Sequence, residues 1–386
     1  MRRILIVSDI PFFPPNEGSR KRVHDLVESY LQLGAEVTFL LIDGAGDIDS
    51  MREKVGGNLY VCHRTLREKL SILLRRVIRF GAGLVHIDRL RNYPLDSWKS
   101  SHAQEMVGEL CLEKEFDIVQ IEYLYLSHCF KAVGTVPIKI LDTLDVMSDR
   151  WRMFPADETP NVWYSVDRSA ELEGCLRANK VFAISSKDKS YFEELGCARV
   201  QLCDFTSPPR SIWSPESKKV VFLGSDNRMN RSGLRWFVEM VLPLVLNDAP
   251  DFRVHIAGKI ANQVSNARGI VKVGEFDSLD ELFSNCKFMI NSVSVGTGLA
   301  IKNLDALSRG VPIVCTPNAA RGAELFFGKG VVICNDAAGF SASIVDLWRN
   351  DALLELHSSQ LVRTYQEAFD ESRKCIANSI GLNSDQ

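Results

Sequence analysis

The shortcuts by which a function is often read at sight are missing from this chain. Among its ten cysteines there is no Cys-x-x-Cys pair; there is no His-Glu-x-x-His and no Walker loop, and the seven histidines do not cluster. Gly-Ala-Gly at 44–46 and again at 81–83 lacks the third glycine of a dinucleotide fingerprint, the matching positions being Asp49 and His86. These absences call for neither a metal nor a bound cofactor. A net charge of -3 provides no basic field, which excludes wholesale binding to nucleic acid. The first apolar run, Ile4 to Val7, is closed by Ser8 and Asp9. Despite Arg2 and Arg3 it is too short for a signal peptide, and far too short to span a bilayer. The scattered cysteines, some inside apolar runs as Cys315 is in "VPIVC", read as reduced, buried thiols of a cytoplasmic protein.

What the chain does have is alternation. At 386 residues it is too long for one ordinary core, so two domains are expected. In the first half "RILIVS", "EVTFLLI", "NLYVC", "DIVQI", "IKILD" and "VFAIS" are strand candidates; "KVVFLG", "RVHIAG", "IVKVG", "KFMINSV", "VPIVC" and "VVIC" follow in the second. Continuous Val/Ile/Leu runs separated by helices imply parallel strands covered on both faces. The expected fold class is α/β, two doubly wound Rossmann-like domains facing each other across a cleft. The stretch "FTSPPRSIWSPESKK" is the linker, which divides the chain into 1–205 and 206–386. The tail from about 356 reads as a helix free to pack back on the first domain.

In such sheets ligands bind in loops at the carboxyl ends of strands. Two loops stand out because each places cations at the positive end of a helix dipole: Arg20, Lys21 and Arg22 after the first strand, and Arg228 and Arg231 in "GSDNRMNRSGLRWF". Either an anion sits among them, or they are solvated and Ser19 and Ser232 serve as N-caps. A third wall is "SVGTGLAIKNLDALSRG", whose glycines let backbone amides approach a ligand. Lys302 and Asp305 share the following helix face. That set suits a nucleoside diphosphate, with lysine on phosphate and aspartate on ribose hydroxyls. The plain alternative is a surface pair, Lys302–Asp305 or Asp305–Arg309.

Taken together, "VFLGSDNRMNRSGLRWFVEMVLPLV", "GIVKVGEFDSLDELFSNCKFMINSVSVGTGLAIKNLDALSRGVPIVCTP" and "ARGAEL" resemble the second domain of GT-B glycosyltransferases, bacterial family four in particular. "ILIVSDIPFFPPNEGSRKRVHDLVESYLQLGAEVTFL", "LDTLDVMSDR" and "NKVFAISSKDKSYFEELG" resemble the acceptor-side domain. The family's pair of glutamates is altered: the second is Asp305 and the first falls at Thr297, while Leu144 stands where relatives often show His. The resemblance implies retaining, metal-independent transfer of a sugar from a nucleoside diphosphate sugar to an acceptor hydroxyl on a glycan, a lipid-linked sugar or a small molecule. Amides of Gly298, Leu299 and Gly18 with the cations Lys302 and Arg228 would stabilise the leaving diphosphate. Gly224, Ser225, Asn230, Arg231, Val273, Gly296, Thr297 and Asp305 complete the donor-binding candidates. Glu122 and Tyr123, ending "DIVQIEY", are candidates to face the sugar or are ordinary strand-end residues. A nucleotide-sugar epimerase or hydrolase, or a non-catalytic scaffold, shares the same pattern.

One further segment carries a partner. In "HRTLREKLSILLRRVIRFGAG", Leu66, Leu70, Leu73, Leu74 and Val77 form one helical face, and six cations from Arg64 to Arg79 oppose the single Glu68. The expectation is that this face packs on the domain core. The alternative is peripheral contact of residues 64–80 with the inner face of an anionic membrane.

Overall fold

Every one of those apolar runs is a strand. The computed structural model describes residues 1–15, 17–44, 46–85, 87–153, 164–294 and 300–382, in two units. Met1–Thr206 with Ser372–Gln386 forms the first and Ser207–Glu371 the second. In the first, β1 (Arg3–Ser8), β2 (Glu36–Ile42), β3 (Leu59–Cys62), β4 (Ile118–Glu122), β5 (Ile138–Asp142), β6 (Lys180–Ala183) and β7 (Val200–Leu202) pair in the order β3-β2-β1-β4-β5-β6-β7, all parallel. The second contains β8 (Lys219–Leu223), β9 (Val254–Ala257), β10 (Ile270–Gly274), β11 (Cys286–Asn291), β12 (Ile313–Cys315) and β13 (Val331–Ile333), again parallel, in the order β10-β9-β8-β11-β12-β13. Only β7 escaped the sequence pattern: it is three residues long, lies at the sheet edge and has Gln201 at its centre.

Alternate residues of each strand go to opposite faces, which is why the strands carry no polar face. Leu5, Val7, Val119 and Ile121 join one core of the first unit, and Ile4, Ile6 and Ile118 join the other. Ile376, near the end of the helix Asp351–Ser379, and Ile380, just past it, pack in that second core beside Ile4 and Ile6. Val220, Phe222, Val254, Ile256, Phe288 and Ile290 form a core of the second unit.

Both strand orders reverse once, between β1 and β4 in the first unit and between β8 and β11 in the second. At such a point the helices leaving two adjacent strands go to opposite faces and open a crevice. After β1 the helix Gly18–Gln32 begins, and it stops where Gly34 takes a φ of 75°. After β8 comes Arg228–Trp236, and after β11 Ile301–Leu307. These turns hold the candidate residues.

The segment 64–80 corrects an expectation. From Leu66 on it belongs to a helix, Leu66–Leu84, whose start is fixed by a capping box: Thr65 accepts from the Glu68 amide, and Glu68 accepts from that of Thr65. Its apolar face does not pack on a core. Leu66 is 80% exposed and Leu70 64%, and Leu73, Leu74 and Val77 are exposed as well. The inward side is occupied instead by Arg79, Ala82 and Gly83, which leaves the leucines facing out.

Close backbone approach sets the second unit's crevice. Gly233 lies so near the end of β11 that a Cβ there would sit 2.9 Å from the Ser292 carbonyl oxygen and 3.0 Å from its carbon. In an open helix Gly→Ala gains up to about 1 kcal/mol. Here Gly233→Ala is expected to cost about 1–3 kcal/mol through overpacking, whereas Ser232→Ala, exposed on the same helix, is expected to be neutral or mildly stabilising. Denaturant unfolding of the two variants checks the reversal of sign.

Candidate functional site

The two loops with misplaced cations resolve differently. In the first unit each cation finds a carboxylate of its own unit. Arg20 lies 3.6 Å from Glu17 and Lys21 3.2 Å from Asp25. Arg22 is buried: its Nε and Nη2 each donate to Asp142 at 3.0 Å, and Nη1 donates to the Cys203 carbonyl. The anion that the sequence seemed to require is thus internal here, and Arg22 ties β5 and the loop after β7 to the first helix. Ser19 is no cap either, because the helix begins at Gly18 and its N-cap, Glu17, makes no side-chain bond. Removing the cation strands a buried carboxylate, so Arg22→Met is expected to destabilise by about 3–5 kcal/mol. For Arg20→Met, whose partner Glu17 is exposed, about 0–1 kcal/mol is expected. Denaturant unfolding measures both.

Glu122 also departs from expectation. It ends β4 with none of its surface exposed, accepting at 2.6 Å from Gln120 Nε2. Burial, then the neighbouring Asp142 carboxylate, pushes its pKa well above the usual carboxylate range. It belongs to the interior network and does not face outward from the strand end. Tyr123, the next residue, takes a left-handed φ of 67° and stacks on Tyr125 at 5.1 Å. Asp43 after β2 (φ 52°) and Leu144 after β5 (φ 54°) are left-handed too. Such backbone costs of order 1 kcal/mol or more per residue and collects at functional edges. Beside them lies Asp9, directly after β1. Tyr125 Oη donates to it at 2.9 Å, Arg64 is 3.6 Å away, and burial raises its pKa. The sequence reading passed over Asp9, although an acid immediately after the first strand was the available signal.

In the second unit the switch point does gather candidates. Asn227, not Ser232, caps the helix after β8, accepting from the Asn230 amide at 2.9 Å. Asn230 is thereby turned inward and buried. Its Nδ2 donates to the Ser225 carbonyl at 2.9 Å, and its Oδ1 accepts from Lys302 Nζ at 2.7 Å. Gly224 packs against the same side chain, where a Cβ would come within 3.1 Å of Asn230. Gly224, Ser225, Asn230 and Lys302 therefore form one constellation joining the turns after β8 and β11. Lys302 is the second residue of its helix. Its ammonium lies 5.8 Å from the centre of the Phe222 ring.

Neighbouring residues hold this wall in place. Asn291 Nδ2 donates to Asn303 Oδ1 at 2.9 Å and Asn303 Nδ2 to the Ala319 carbonyl at 2.7 Å, fastening the helix to β11 and to the loop after β12. Asn303 was missed in the sequence; a buried amide inside an apolar helix was its signal. Asp305 is 6% exposed, more enclosed than a cleft-lining residue was expected to be. Arg309 pairs with Asp280 at 2.6 Å and donates to the Asp305 backbone carbonyl at 2.9 Å. The exposed Arg231 pairs with Asp226 at 2.6 Å, and Arg228, also exposed, opens the helix. Val273, 42% exposed, lies on the edge strand β10. Gly18 is the first residue of its helix in the other unit. Gly296, Thr297, Gly298 and Leu299 lie outside the described residues. Among the described residues no group of His, Cys, Asp and Glu is placed to hold a metal ion.

Residues 217–350 match the family model described as glycosyl transferases group 1. Over nearly their whole lengths, 97% of this chain and 98% of the relative, the chain is 24% identical to an uncharacterized 44.6 kDa protein in the cps region of Klebsiella pneumoniae. Among solved structures it is similar to S. aureus TarM in complex with Fondaparinux, alpha-GlcNAc-glycerol and UDP (TM-score 0.66, 10% identity, 99% of this chain and 100% of that one). It is similar also to Anabaena Alr3699/HepE in complex with UDP (TM-score 0.60, 10% identity, 96% and 99%). The fold is that of the GT-B glycosyltransferases.

Among the described residues no carboxylate lies within ion-pairing distance of Lys302, and burial lowers its pKa from 10.5 to about 8. A lysine depressed in the folded state sheds its proton there before it would in the unfolded chain. Between about pH 8 and 10.5 the unfolded state binds more protons, so stability rises with pH across that window. The difference in unfolding free energy between the wild type and Lys302→Met should therefore shift in favour of the wild type as pH rises through it. A difference that stays flat would remove the desolvated lysine.

Proposed function

We propose that the chain transfers a sugar from a nucleoside diphosphate sugar to an acceptor hydroxyl, by a retaining route that needs no metal, in the assembly of a glycan or glycoconjugate. The observation that carries this reading is the half-buried Lys302 ammonium, held at the second unit's switch point by the neutral amide of Asn230. A buried charge without a counter-charge is costly, and a diphosphate lowers that cost on arrival. The demand is greatest when the diphosphate leaves, because negative charge accumulates on it as the sugar becomes oxocarbenium-like. Lys302 then stabilises the transition state more than the bound donor, and Asn230 is the positioning residue that keeps it aimed. Asp305, on the same short helix, accepts from the ribose hydroxyls in this reading. Arg228 and residues 296–299 complete the phosphate side in this reading.

Two structures of the same fold hold UDP, which makes UDP the first nucleotide to test. Incubation with UDP-, GDP- and dTDP-sugars distinguishes the readings. Slow donor hydrolysis without acceptor supports a transferase, an epimerised donor points to an epimerase, and no binding of any donor leaves a scaffold. Binding should also move protons. At a pH near 8, where Lys302 is about half protonated, a diphosphate favours the charged form. Calorimetry in buffers of different ionisation enthalpy should then show proton uptake by the wild type and none by Lys302→Met. Asp305→Ala should weaken nucleoside and nucleoside diphosphate alike, by about 1–3 kcal/mol. Lys302→Met should weaken only the diphosphate. Wild-type affinity in both variants would end the assignment.

A further inference from the structure

We propose that the helix Leu66–Leu84 is a lipid-docking element that lays its outer face into the surface of an anionic bilayer. The inference concerns the first unit alone and does not rest on the sugar-transfer reading. Most amphipathic helices turn their apolar stripe to the core, and this one is inverted. Leu66, Leu70, Leu73, Leu74, Val77 and Leu84 are each more than half exposed. Single exposed leucines need no explanation, but a contiguous stripe marks an interaction surface.

The inversion is built in. Arg79 is buried, with its guanidinium 3.9 Å from the centre of the Tyr93 ring and its Nη2 donating to the Asn92 carbonyl at 2.8 Å. Arg76 lies 4.8 Å over Trp98. The long arginine stems and the aromatic rings thus do the packing that leucines would otherwise do. At the start, Glu68 Oε2 accepts from Thr65 and Oε1 from the Ser101 amide, anchoring the first turn to the next helix. The stripe is therefore held outward by its own unit.

Charge and area select the occupant. At 100° per residue Arg67 flanks the stripe on one side, and Arg76 on the other with Lys69, which pairs with Asp43 at 3.0 Å; all three are exposed. The only acid of the helix, Glu68, has both oxygens engaged. A second copy meeting this face across a two-fold axis would set cations against cations with no carboxylate of the helix to answer them. The stripe spans 19 residues, about 28 Å, and at about 10 Å wide it covers on the order of 300 Å². That is well short of the roughly 800 Å² per partner of a stable protein interface. An anionic lipid surface answers the flanking cations and has no such threshold, since each buried leucine adds its share. No described helix is long and apolar enough to cross a membrane, so the helix lies in the interface plane.

Flotation of the full chain tests this, with vesicles of phosphatidylcholine alone and of equal parts phosphatidylcholine and phosphatidylglycerol. The wild type should float with the mixed vesicles at low salt and lose most of that binding in high salt. The double variant Leu70→Ser/Leu73→Ser should bind roughly tenfold or more weakly, and Arg67→Glu roughly tenfold more weakly to the mixed vesicles alone. Circular dichroism and thermal melting should match the wild type, because all three side chains are exposed. Absence of flotation with either vesicle at low salt overturns the proposal. So does equal flotation of wild type and double variant, or a wild-type dimer in sedimentation that the double variant abolishes.

Discussion

A cation brought to the carboxyl end of a parallel strand must be answered by something, and the two units answer it differently. In the first, Arg22 meets Asp142 in a two-pronged buried pair, and the charge is closed within the fold. In the second, Lys302 meets the amide of Asn230, which takes one hydrogen bond and leaves the charge intact. Much of the second unit's crevice follows from holding that one contact. Asn227 turns Asn230 inward, Gly224 makes room for it, Gly233 lets its helix approach the end of β11, and Asn303 fastens the helix that carries Lys302. A fully paired site would be structural; one paired by a neutral amide remains open to an anion.

The same logic separates Glu122 from Asp9. Both are acids at the end of a strand beside the first unit's switch point, and burial raises the pKa of both. Glu122 is sealed from solvent and linked to Gln120, inside the network that holds Arg22 and Asp142. Asp9 keeps some exposed surface and sits with Tyr125 and Arg64, next to the left-handed Tyr123. Position along a strand does not distinguish them. Which sheet face the side chain joins, and what already occupies that face, does.

The helix Leu66–Leu84 shows the limit of periodicity. Its spacing announces an apolar face and a cationic face, and both exist. Periodicity has no term for which face meets the protein, because that depends on the partners the fold supplies. Here the fold offers Tyr93, a surface on which an arginine packs well, so Arg79 turns in.

Local pattern alone determined the fold class and twelve of the strands. Both depend on residues adjacent in the chain: continuous Val/Ile/Leu runs separated by amphipathic stretches. The motif around Lys302 and Asp305 was legible for the same reason, as contiguous chemistry. Tertiary structure alone decided which cations are spent inside the fold. Arg22 and Asp142 are 120 residues apart, and Asn230 and Lys302 are 72 apart. Such pairs are made by strand order, and strand order depends on how helices pack across a sheet rather than on any neighbour in sequence. The depressed pKa of Lys302 belongs to the same class, because desolvation is a property of the space around a group and exists only once the chain has closed over it.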